Sequence, residues 1–238
     1  RLASARRIFF ILFLNFDRYC TCMRKLIKCL PLYLFFCVYG LIGSKAVAQN
    51  ITVDSIAKAE LQLKIFADSL TKGVVESNRQ MALSSFNPLL MDLLGNPETF
   101  NYPFSAIENL SKLKSEDEKI RIFSWAYRSS VDGTYTYYGV LQYKDPDDGR
   151  IKRLGLVEVK QPSEDVIHKE LQPEEWYGSL YYQIIQKKVK KSVYYYLLGW
   201  QGNDRFTTRK VIDVITFDPW GKPVFGAPVF QNETNELQ

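Results

Sequence analysis

Apolar residues return at every third or fourth position from Thr52 to about Thr71, as Ile56, Ala59, Leu63, Phe66 and Leu70. That spacing gathers them on one face of a helix, with Lys58, Glu60, Lys64 and Asp68 among the polar positions. A second helical stretch is predicted from about Val74 to Leu94, with Asn87 and Pro88 interrupting or restarting it and Gly95-Asn96-Pro97 ending it. Ser105-Ala106-Ile107-Glu108 has capping-box spacing and predicts a short helix through Leu113.

From Lys119 the period changes. Ile120–Tyr127, Thr134–Lys144, Ile151–Lys160, Trp176–Gln186, Val193–Trp200 and Lys210–Phe217 are rich in Tyr, Val, Ile, Phe and Trp and read as strands. Asp132-Gly133, the run Asp145–Gly149, Lys187–Lys191 and Asp218-Pro219-Trp220-Gly221 punctuate them as turns. Short turns between successive strands imply an antiparallel meander. Few of the strands alternate cleanly between apolar and polar, so the sheet is expected to be covered in part on both sides or strongly curled. The expected fold is α+β: N-terminal helices packed on a curved, mainly antiparallel β-sheet of about six to seven strands. One domain is expected over residues 49–230, helices within 52–113 and strands within 119–230, with a frayed tail at 231–238.

The front of the chain reads differently. Residues 1–22 precede the first Met and read as an upstream extension or fragment. Met23–Lys28 is a basic n-region, Cys29–Gly43 an apolar stretch, and Ala46-Val47-Ala48 a small-x-small site before Gln49. Residues 23–48 thus have the three parts of an export signal. The 15 apolar residues are broken by Pro31 and fall short of the roughly 20 that a membrane span needs. The expectation is an exported protein, periplasmic or extracellular, with no stable membrane span after cleavage.

Removing 48 residues changes the charge. The chain carries 31 basic and 26 acidic residues, a net charge of +5; eight of the bases and one acid lie before Gln49. The remaining 190 residues carry −2. All four cysteines go with the leader, which excludes disulfide, Cys-metal and Cys-nucleophile chemistry from the remainder.

Candidate chemistry is sparse. The single histidine, His168, sits in the polar segment Gln161–Glu175, which is longer than an ordinary loop. It could act as a base, yet no G-x-S-x-G element accompanies it. One His and no Cys leave no common zinc site. Asp145-x-Asp147-Asp148-Gly149 departs from a calcium loop, with glycine fifth and Leu156 twelfth, and reads as a hairpin turn. No phosphate loop or dinucleotide fingerprint is present, so no cofactor is expected. Lys187–Lys191 is a basic turn in the net-acidic part that follows residue 48, and no nucleic-acid partner is expected. Glu174, Glu175, Asp204 and Asp213 are the carboxylates available for a glycosidase-like pair.

Aromatics are the most unusual feature, 25 of them after residue 48. Trp176, Tyr177, Tyr182 and Trp200, with His168, are the candidate ligand-binding residues; the alternative for the aromatics is cross-strand packing. The pieces Asn101-Tyr102-Pro103-Phe104, Trp176-Tyr177-Gly178, Tyr196–Trp200, Lys210–Phe217 and Gly221–Phe230 resemble a family of uncharacterised secreted proteins from Bacteroidetes. The resemblance implies export and a bacterial origin and carries over no catalytic residue. Two functional readings stand: a non-catalytic envelope protein binding a ligand or partner through an aromatic sheet face, and an exported hydrolase using paired carboxylates.

Overall fold

A computed structural model describes residues 53–159, 169–202 and 206–230. All of them fall in one compact unit. The export signal with Ala46, Ala48 and Gln49, and also His168 and Asp204, lie outside the described residues.

Two helices come first, α1 (Val53–Lys72) and α2 (Glu76–Leu93). Of the apolar face expected on α1, Ile56 and Leu63 are buried and Ala59, Phe66 and Leu70 pack partly buried against the core; Ala67 and the polar Glu60 are buried as well, and α2 buries Ala82, Phe86, Leu90 and Leu93. Pro88 does not interrupt α2. Pro88 and Ser84 both face solvent, so the Ser84 carbonyl that proline cannot serve meets water instead. The helix expected from Ser105 is absent. The buried Glu60 of α1 takes the Tyr102 hydroxyl (2.6 Å) and the Ala106 N–H (2.7 Å), so this segment bonds to α1 rather than to itself. The next regular element is a strand, β1 (Ser111–Lys114).

The strands form two sheets of four rather than one of six to seven. β1, β2 (Ile120–Arg128), β3 (Tyr135–Lys144) and β4 (Ile151–Leu156) make the first, in that order and antiparallel throughout. β5 (Leu180–Val189), β6 (Ser192–Gly202), β7 (Thr208–Phe217) and the short β8 (Pro223–Phe225) make the second, also antiparallel. β4 ends at Leu156 and β5 begins at Leu180, so the described residues 157–159 and 169–179 lie outside the strands.

The first sheet is sandwiched. Phe123, Trp125 and Val140 meet the helices, whereas Ile120, Ile122, Leu141 and Tyr143 meet Tyr195, Leu197, Ile215 and Phe225 of the second sheet. The two sheets are joined along both margins. On one side β1 lies against β5, where the Tyr181 N–H reaches the Ser124 hydroxyl (3.0 Å) and the Ser111 hydroxyl reaches the Tyr181 carbonyl. On the other side the connection 171–176 spans the gap. It accepts the Val157 and Val159 N–H groups at Pro173 and Trp176, and Leu171 exchanges both backbone bonds with Phe225 (2.8 and 2.9 Å). The two sheets thus face each other across an interior filled by side chains.

Candidate functional site

Three polar groups run through this interior. Trp176 donates its Nε1–H to the Tyr181 hydroxyl (2.8 Å), which donates to Asp213 Oδ2 (2.7 Å), while Asp213 Oδ1 accepts the Val214 N–H (2.8 Å). Burial pushes the Asp213 carboxyl above its ordinary range, against the bonds from Tyr181 and the backbone, and pushes the Tyr181 phenol well up. Each polar atom is satisfied, as burial demands. Trp176, expected on an open ligand face, is 0% exposed. Its indole spans the interior and offers no surface to a ligand.

Tyr177, the next residue, faces the other way and is half-buried at the rim. Arg209 at the start of β7 is exposed and donates to the Tyr177 hydroxyl (3.3 Å). These two residues form a saddle between two depressions, one of about 360 Å³ and one of about 350 Å³. The first is polar and floored by β3 and β6. Its wall is a layered aromatic group: Tyr135 stacks on Tyr137 (6.2 Å) and meets Trp200 edge-on (5.2 Å). The Tyr137 hydroxyl accepts the Gly202 N–H (2.6 Å), and Glu158 accepts the Tyr137 N–H (2.9 Å). Gly202 is required here, because a Cβ would lie 2.4 Å from the Tyr135 ring.

The second depression runs along the outer edge of β7. β8 pairs only with Ile215–Phe217 of the ten-residue β7. It then turns away at Gly226, whose φ of 77° suits glycine and whose Cβ would lie 2.6 Å from the Lys169 carbonyl. Among the described residues nothing pairs with the outer edge of Thr208–Ile212. The groove beside that edge is walled by Leu171, Ala227 and Phe230, and Phe230 packs edge-on against Tyr196 (6.0 Å).

Of the residues singled out from sequence, Tyr177 lines both depressions, and Trp200 packs on Tyr135, which lines the first. Tyr182 lies apart on the open outer face of the second sheet, 51% exposed, with the Lys210 ammonium 5.0 Å above its ring. The carboxylates considered for hydrolysis are in unlike surroundings. Glu174 is exposed beside Lys222 (3.8 Å), and Asp213 is buried with Tyr181 and Trp176. Asp145 accepts the Asp147 N–H (2.9 Å) and pairs with Lys152, which closes its turn. Arg209, Lys210 and Phe230 escaped the sequence reading. The only available signal was the Arg209-Lys210 pair near the start of a strand whose later residues, apart from Asp213 and Thr216, are apolar.

No protein-family model, curated protein or solved structure matches this chain.

Proposed function

We propose that this is an exported, non-catalytic binding protein of the cell envelope, and that it holds its ligand at the rim around Tyr177 and Arg209. The observation that carries the reading is the saddle itself: two adjoining depressions share one aromatic and one guanidinium, beside a strand edge over Thr208–Ile212 that no described residue pairs with. A concave mouth with few polar groups over an apolar wall is the common form of a binding site. The Asp213 carboxylate beside it is already engaged with Tyr181 and Val214, and so serves the scaffold. Export is supported by the signal-like residues 23–48 and by the basic charge that departs with them.

The test is a thermal-shift screen of peptides, oligosaccharides and small carboxylates. A ligand at about 100 times its Kd adds about 2.7 kcal/mol to stability, roughly 5–10 °C in Tm for a chain of this size. One class is expected to shift the native protein and to leave Tyr177→Ala and Arg209→Ala unshifted. A ligand that shifts all three alike would locate binding elsewhere and remove this reading. For the export signal, the product's N-terminus is expected at Gln49; a start at Cys29 or Cys37 overturns that cleavage site in favour of a lipid-attached product, and a product that keeps residues 23–48 overturns the cleaved signal.

A further inference from the structure

Among the described residues, the second sheet has a vacancy in its own pattern. β8 occupies the fourth position along only three residues of β7, and the place in line with it, beside Thr208–Ile212, is a groove of about 350 Å³. The Val214 carbonyl accepts the Gly226 N–H, so even-numbered residues of β7 turn their backbone groups to this side. By strand alternation Thr208, Lys210 and Ile212 do the same, presenting N–H and C=O groups to the groove. Ile212 is 56% exposed there.

Resting on the proposed binding role of the rim, we propose that the groove takes an extended polypeptide strand that continues β8 and pairs antiparallel with Thr208–Ile212. Main-chain bonds to an open edge supply affinity in such an arrangement, and side chains on the two faces supply selectivity. Each face of β7 carries one base and one aliphatic residue here: Arg209 with Val211, and Lys210 with Ile212. Cross-strand neighbours prefer opposite charge and shared apolar contact. Opposite Arg209 and Lys210 the strand therefore carries two acids, and opposite Val211 and Ile212 two apolar residues. Read from its own N-terminus, the antiparallel guest is apolar-apolar-acidic-acidic. A second copy of this chain is a poor occupant, because pairing two such edges sets bases against bases or against aliphatic side chains. Basic residues on an edge oppose that self-association.

The probe is a fluorescent peptide, blocked at both ends, with the core Val-Val-Glu-Glu, titrated into the purified protein at low salt. It is expected to bind, more weakly as salt rises. Methylating alternate backbone nitrogens, which removes donors and leaves the side chains, is expected to weaken it about tenfold or more. The reversed core Glu-Glu-Val-Val and the basic core Val-Val-Lys-Lys are both expected to lose binding. Ile212→Pro is expected to fold, since its N–H faces away from β6, and to bind no peptide. Should it misfold, the double variant Arg209→Glu/Lys210→Glu carries the test by preferring Val-Val-Lys-Lys.

Binding indifferent to N-methylation but lost in Tyr177→Ala overturns strand pairing and leaves the rim as the binding site. Absence of peptide binding overturns the proposal, and the thermal-shift screen then decides separately whether the rim binds anything else. A concentration-dependent dimer abolished by Ile212→Pro identifies a second copy as the occupant and also overturns it.

Discussion

β3 of the first sheet sends Val140 and Tyr138 to the helices and Tyr137, Leu141 and Tyr143 to the second sheet. β6 of the second sheet buries Tyr195 and Leu197 on its inner side, while Tyr194, Tyr196 and Leu198 on its outer side keep partial contact with solvent. One strand is used on both faces and the other on one. The helices stop at the first sheet, so the second sheet supplies the open aromatic face and the open edge. Residues with no surface left to give lie in the first sheet and its two interfaces, and residues free to meet a partner lie in the second.

The sharpest way to break that contrast is to cut a large side chain from the helix-facing side of the first sheet. Trp125 stacks on Tyr138 (5.8 Å), meets Phe86 edge-on (5.7 Å) and donates to Asn87 Oδ1 (3.0 Å). Trp125→Ala is expected to cost about 3–5 kcal/mol, the range for emptying such a site. Urea unfolding checks it; a loss below about 1 kcal/mol would mean that the helices do not rely on this face.

Next in size is the polar array between the sheets. Tyr181→Phe removes the hydroxyl that serves both the Trp176 indole and Asp213. Two buried groups then lack a partner, and the expected loss is about 2–3 kcal/mol. Unfolding in urea reads this change as well. Trp176→Phe, which removes the indole donor itself, is expected to cost less than Tyr181→Phe despite its larger change in volume.

Acid response separates the two regions by sign. Glu76, at the start of α2, is held down to about 2 from an ordinary 4.5, first by the Ser130 hydroxyl, then by Tyr127. It binds fewer protons folded than unfolded, so its contribution is complete above pH 4.5 and is lost as pH falls toward 2. Asp213 is shifted the other way, upward from 3.8 by burial. Folded, it keeps its proton where the unfolded chain has released it, so its contribution declines as pH rises from 3.8 through its folded value. Unfolding free energies of Glu76→Gln and Asp213→Asn, each compared with the parent across pH 2–7, should therefore diverge in opposite directions. Parallel profiles would mean that one of the two environments is misread.

The helices were legible because their packing is local in sequence. Ile56, Leu63 and Phe66 carry their periodicity whatever the rest of the chain does. The failure of β2 and β3 to alternate was legible too, and it has a cause: both of their faces are covered. The division into two sheets was not, because it is made by contacts far apart in the chain, Leu171 with Phe225 and Ser124 with Tyr181. β1 and β8, of four and three residues, carry too short a pattern to be read. Trp176 and Tyr177 could not be told apart either. They are adjacent, aromatic and on opposite sides of the chain, and which side is inside depends on where β4 and β8 lie. The open edge of β7 is a property of its missing neighbour, and no residue of β7 encodes that.

The smallest expected effect tests the open face itself. Tyr182 is half exposed, and the Lys210 ammonium above its ring adds the modest attraction of a surface cation–π pair. Tyr182→Ala is expected to change stability by no more than about 0.5–1 kcal/mol, against the several lost at Trp125. Its effect on peptide binding is expected to be slight too, because Tyr182 belongs to β5, two strands from the β7 edge, and reaches the groove only through the Lys210 ammonium. A loss of binding in Tyr182→Ala as large as in Tyr177→Ala would move the ligand from the edge onto the aromatic face. The second sheet would then still be the open one, but its face rather than its unfinished margin would be the part in use.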